Sequence, residues 1–165
     1  MNEKLNQRPV IAVIGAAQCS AAEEVQAAYV GRLLAERGAI LICGGRTGVM
    51  EAACGGAKAG GGLTIGVLPG HDRAEANPYV DVAIVTGMGE ARNAIVINSA
   101  DAVIAIGGGY GTLAELAFAF RRGIPVVGLG TWQIAHPDGK PAPVQVAGSA
   151  EGAVEAVMAA LRKKE

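Results

Sequence analysis

Aromatic side chains are scarce: Phe, Tyr and Trp make up 4% of the 165 residues, with a single tryptophan. A core without large rings has to be built from Ala, Val, Ile and Leu, a small-residue composition that suits α/β packing and excludes a disordered chain. Cysteine is scarce too. Cys19, Cys43 and Cys54 are an odd count without CxxC spacing, which excludes a disulfide framework and a cysteine zinc site. The two histidines, His71 and His136, stand apart in polar stretches, so no metal shell is expected. Neither sign of charge dominates: 14 basic against 15 acidic side chains leave a net charge of -1 and a pI near 6.1. Such a balance argues against nucleic acid or an anionic membrane as partner. No apolar run is long enough to span a bilayer, and the opening MNEKLNQRPV lacks a signal-peptide core; a reducing cytoplasm is the expected location. Two nucleotide grips are missing as well. There is no GxxxxGK(S/T), and the first strand runs into GAAQCS instead of GxGxxG, while the second ends in Cys43 and Gly44 where a ribose-binding acid would stand.

What is abundant is glycine, 25 residues of it, placed at the ends of short apolar runs. Residues 9–15 (PVIAVIG) form such a run without alternation, as expected of a strand covered on both faces. Ser20 followed by Glu23 has capping-box spacing and opens a helix to about Arg37. Residues 39–43 are a second buried strand, 49–59 a small-residue helix, 63–68 a third strand. The polar, proline-bearing stretch 69–78 is a surface loop. A strand over 80–85, a helix over 90–99, a strand from Asp101, a helix over 113–121 and a strand over 125–129 follow. Residues 130–143 are an irregular connection, 144–146 a last short strand, and Ser149 caps a closing helix that runs to the Lys163–Lys164 end. Strand–helix alternation with glycine at strand ends predicts one domain, residues 1–165, with a doubly wound, mostly parallel Rossmann-like sheet of about seven strands and helices on both faces.

Two glycine-rich loops carry the functional expectation. One is Gly44, Gly45, Arg46, Thr47 and Gly48; the other is Gly107, Gly108, Gly109, Tyr110 and Gly111, followed by Thr112. Each follows a buried strand and precedes a helix. Bare backbone, positive φ and unpaired N–H groups at a helix start make a phosphate cradle there. Parallel strands would open both loops at one sheet edge, around one phosphorylated ligand. Arg92, after a strand and a glycine-bearing turn, is the expected anion clamp, because its fork matches phosphate; its alternative is a solvated residue paired with Glu90 or Asp101. Arg46 is a comparable phosphate candidate. Thr112 and Glu115 have capping-box spacing, and Glu115 is equally placed to act as general acid or base or to hold a ribose hydroxyl. Cys19 stands at a helix start and is assigned no chemistry. Asn77 and Tyr79 are candidates for a base or sugar contact.

The segments GGRTGVMEAACGGAKAGGG, EARN and GGGYGTLAEL resemble the LOG-like Rossmann superfamily, formerly called "lysine decarboxylase-like", over most of the chain. The LOG phosphoribohydrolases release free base from nucleoside 5′-monophosphates using an arginine and the glutamate of PGGxGTxxE. The resemblance carries these roles to Arg92 and Glu115, and implies that Gly108, Gly109, Gly111 and Thr112 hold the 5′-phosphate. Two positions depart from the pattern: Gly107 replaces the motif proline, and Asn93 stands where lysine is expected. The ANPY and EARN segments are closer to the sister branch, the molybdenum-cofactor carrier proteins, which bind and protect a phosphorylated pterin. That branch implies molybdenum cofactor or a related nucleotide as cargo, with no cofactor required for catalysis. It also implies a homo-oligomer, dimer or tetramer, and molybdoenzymes as recipients.

Overall fold

The computed structural model describes residues 5–163. Seven strands form a single parallel sheet in the order β4-β3-β2-β1-β5-β6-β7. The chain runs β1 (Val10–Gly15), α1 (Ala21–Glu36), β2 (Ile40–Cys43), α2 (Val49–Ala59), β3 (Thr64–Leu68) and β4 (Val82–Val85) toward one edge. It then returns through α3 (Asn93–Asn98) to β5 (Ala102–Ile106) on the other side of β1, and continues with α4 (Tyr110–Arg122), β6 (Val126–Leu129), β7 (Gln145–Val146) and α5 (Ala150–Arg162). The reversal between β1 and β5 opens a crevice at the carboxyl ends of these two strands, where open α/β sheets take ligands.

Both faces of the sheet are covered, which is why its strands read as unbroken apolar runs. Ile11 and Val13 of β1 pack with α1, α2 and α5, and Ala12 and Ile14 pack with α3 and α4. The doubly wound expectation is met. Among the described residues no helix is long and apolar enough to cross a membrane.

Small residues set the closeness of the layers. At Gly31 of α1 and Gly56 of α2 the two backbones touch: a methyl on Gly56 would collide with the Ala28 carbonyl, and one on Gly31 with the carbonyl of Ala53. The start of α1 is the expected capping box, with Glu23 N donating to Ser20 Oγ at 3.2 Å and Ser20 N to Glu23 Oε2 at 2.7 Å.

Two elements differ from expectation. The helix over 90–99 is a 3-10 turn, Gly89–Arg92, followed by the short α3. Helix α4 starts at Tyr110, with Gly109 as its N-cap and no side-chain capping bond, so Thr112 and Glu115 do not form a capping box. The reason lies in Gly107 and Gly108, whose φ angles of 53° and 118° turn the chain within two residues and start the helix sooner. The closing helix ends at Arg162; its expected run to Lys164 falls outside the described residues.

Candidate functional site

A cleft of about 340 Å³ lies at the carboxyl ends of β1, β2 and β5. Gly15, Ala16 and Ala17 leave β1 to form its floor, Arg46, Thr47 and Met50 come from the β2–α2 loop and α2, and Pro69 follows β3. Glu90 and Arg92 enter from the turn before α3, Asn93 from the first position of α3, and Gly109, Gly111, Thr112 and Glu115 from the cap and first turns of α4. The two predicted loops thus meet at one mouth.

The β2–α2 loop is shaped by two glycines with positive φ, Gly45 at 73° and Gly48 at 67°. Gly48 is the N-cap of α2, and a methyl there would run into the backbone of Ala16 and Ala17. Thr47 Oγ1 donates to Ala17 O at 2.9 Å and Val49 N to Ala16 O at 3.1 Å, tying this loop to the one after β1. Asn77 braces it from the other side: its N donates to Gly45 O at 2.9 Å, Nδ2 to Arg46 O at 2.8 Å, and Oδ1 accepts from Tyr79 N at 3.0 Å. Its polar atoms serve the backbone, and it does not line the cleft; Tyr79 also stands apart.

Arg92 is only 7% exposed, and its Nε has no hydrogen-bond partner. Nη1 donates to Asn93 Oδ1, and Nη2 occupies the space that a side chain at Gly44 would need. Pairing with Glu90 or Asp101 is not what the structure holds. No ion pair to Arg92 forms among the described residues, and Asp101 accepts from Val10 N at 2.8 Å instead. Glu115, 6% exposed, has its pKa raised to about 7. Burial is the main cause; the nearby Arg92 charge opposes it and the Glu90 charge adds to it. Arg46 is half-exposed, with Nη1 3.9 Å from Glu75 Oε2.

Of the remaining candidates, Gly44, Gly45, Gly48, Gly107 and Gly108 are set back from the cleft and shape the loops, whereas Tyr110 is 84% exposed and turned away. Gly107 could not be the motif proline in this backbone. Its φ is 53°, outside proline's range, and the Glu23 carboxylate fills the place of a Cβ. The Cys19 thiol has its pKa raised, first by burial and then by Glu23 and Glu24, so its helix-start position gives it no thiolate character. Sequence reasoning missed Gly15, Ala16, Ala17, Met50, Pro69 and Glu90. For the first three, small residues after a buried strand were a usable signal; Met50 and Pro69 carried none.

The chain matches the model of the SLOG cluster4 family over residues 8–162. It is 37% identical over 139 residues to the cytokinin riboside 5′-monophosphate phosphoribohydrolase of Mycobacterium tuberculosis, covering 78% of this chain and 73% of that one. Two solved structures resemble it along nearly their whole length. The molybdenum cofactor binding protein of the phototrophic bacterium Rippkaea orientalis superposes with a TM-score of 0.86 at 39% identity, over 93% of this chain and 98% of the other. The molybdenum cofactor carrier protein of Chlamydomonas reinhardtii does so with a TM-score of 0.82 at 40% identity, over 94% and 99%. A reversal crevice between two glycine loops and a match spanning nearly the whole described chain together assign this protein to the SLOG cluster4 family, a LOG-like Rossmann group on the side of the molybdenum cofactor carriers.

Proposed function

We propose that this protein binds a phosphorylated ligand of the molybdenum-cofactor type in the β1/β5 crevice and holds it for transfer. The observation that carries this reading is Arg92: a guanidinium 7% exposed, with Nε unpartnered, at the rim of a cleft that also receives the start of α4. A buried cation without a counter-charge is costly, and the first N–H groups of a helix lack intrahelical acceptors. A phosphate satisfies both. Gly109, Gly111 and Thr112 would hold it from α4, with Arg92, Arg46 and Thr47 opposite. Asn93 in place of the expected lysine, together with the likeness to the Rippkaea and Chlamydomonas proteins, supports a carrier over an enzyme. The same reading takes the chain as one domain that acts as a homo-oligomer, dimer or tetramer, in the cytoplasm, with molybdoenzymes receiving the cargo.

One observation favours a second reading. Glu115 faces the cleft beside Arg92 with a pKa of about 7, a value suited to general acid or base work near neutrality. In a phosphoribohydrolase, Arg92 would fix the nucleotide while Glu115 stabilises the oxocarbenium-like ribosyl centre or directs water at it.

The test is incubation of pure protein with AMP and other nucleoside monophosphates, followed by chromatography for free base and ribose 5-phosphate. Retention and protection of added molybdenum cofactor without base release supports the carrier. Base release that disappears in Glu115→Gln replaces it with the hydrolase.

A further inference from the structure

The irregular connection 130–143, which neither reading uses, begins by gripping the second glycine loop from behind. Thr131 Oγ1 donates to Gly107 O at 2.6 Å, and Trp132 Nε1 donates to Gly109 O at 3.1 Å. Gly107 N in turn donates to Leu129 O at 3.0 Å. The Trp132 ring rests against Tyr110, centroids 5.9 Å apart. Room for this contact is built into β6, because a Cβ at Gly128 would lie 2.6 Å from Thr131 Cγ2.

The Gly107 carbonyl is the one whose direction matters. In a trans peptide the N–H points opposite to the C=O, so a carbonyl tethered on one side of the loop sends the next residue's N–H to the other side. Gly107 and Gly108, at φ 53° and 118°, lack the steric barrier that keeps other residues from turning a peptide over. A loop this permissive needs outside bonds to keep its donors aimed. Neither Thr131 nor Trp132 lines the cleft.

We infer that Thr131 and Trp132 are positioning residues of the anion site: Thr131 holds the Gly107 carbonyl, and Trp132 adds a second donor to the Gly109 carbonyl, which also accepts from Leu113 N at 3.1 Å as the first bond of α4, so that together they fix where the glycine loop and the start of α4 stand against the cleft. This rests on the anion-binding reading above. Trp132 is the only tryptophan, so its emission reports on the loop directly.

The test is calorimetric titration of AMP and inorganic phosphate into wild type, Thr131→Val, Thr131→Ser and Trp132→Phe, with circular dichroism to establish that each is folded. Loss of one hydrogen bond predicts roughly fivefold weaker binding in Thr131→Val and Trp132→Phe. Thr131→Ser, which keeps the hydroxyl, binds within about twofold of wild type, and wild-type tryptophan emission shifts on adding AMP. Should Thr131→Val fail to fold, Trp132→Phe decides alone, since it keeps a smaller aromatic ring beside Tyr110 and removes the N–H donor. Wild-type binding with unchanged affinity in the folded variants overturns this inference and leaves the anion site standing. A wild type that binds neither AMP nor phosphate removes both.

Discussion

Glu115 shows how burial outweighs a neighbouring cation. Arg92 lowers its pKa, yet removal from water lifts it from 4.5 to about 7. Below pH 4.5 the carboxyl is protonated in folded and unfolded chains alike. Between 4.5 and 7 only the folded chain keeps the proton, so stability falls as pH rises through that window, by about 3 kcal/mol in all. Urea midpoints measured from pH 4.5 to 8 should therefore decline in wild type and decline less steeply in Glu115→Gln; identical slopes would remove the shift. Arg92 gives a second prediction. Arg92→Ala should weaken AMP binding tenfold or more, on the order of one charge-assisted hydrogen bond, and Arg92→Lys should not restore it, because an ammonium lacks the fork. Titration calorimetry on both variants checks this. These two residues were legible in the sequence because each is a charged side chain at a glycine-bearing turn or helix start. The Thr112–Glu115 spacing left the cap and the site role open, since identical spacing serves a cap or a buried wall, and the start of α4 at Tyr110 rules out the cap. Asn77 was legible as a polar turn residue, while its partners, backbone atoms some thirty positions away, were not.

At the scale of elements, the close contact of α1 and α2 depends on Gly31 and Gly56. Gly56→Ala inserts a methyl against the Ala28 carbonyl and should cost about 1–3 kcal/mol or more, as overpacking does. A denaturant melt that matches wild type would show that the helices separate freely. Strands β1 and β2 and helix α2 were readable nearly to the residue, since buried parallel strands leave unbroken apolar runs and glycine marks their ends. The stretch after β4 was less so. Gly87 and Gly89, with φ of 63° and 56°, bend the chain sharply there. A 3-10 turn then brings Arg92 and Asn93 inward ahead of a six-residue helix, where helical spacing alone suggested one continuous element.

For the molecule as a whole, a ligand that binds only the folded state must stabilise it by mass action, by about 2.7 kcal/mol at a hundred times its dissociation constant. AMP should raise the thermal midpoint of wild type and, at the same concentration, raise that of Arg92→Ala by about half as much or less, because tenfold weaker binding leaves about 1.4 kcal/mol of stabilisation; equal rises would place binding elsewhere than the β1/β5 crevice. The doubly wound order could be anticipated from alternation alone, and parallel strands put the loops after β2 and β5 at one sheet edge; that the loop after β1 joins them could not be anticipated, because neighbours in the sheet are far apart in the chain. The touching backbones of α1 and α2 bear on that convergence. Gly31 lies ten positions along α1, roughly 15 Å from its start at the helical rise, yet it fixes how far apart the two helices stand. The loops leaving β1 and β2 lead into those same helices. Two glycines remote from the cleft thus act as a gauge block for the spacing of the helices into which its loops run.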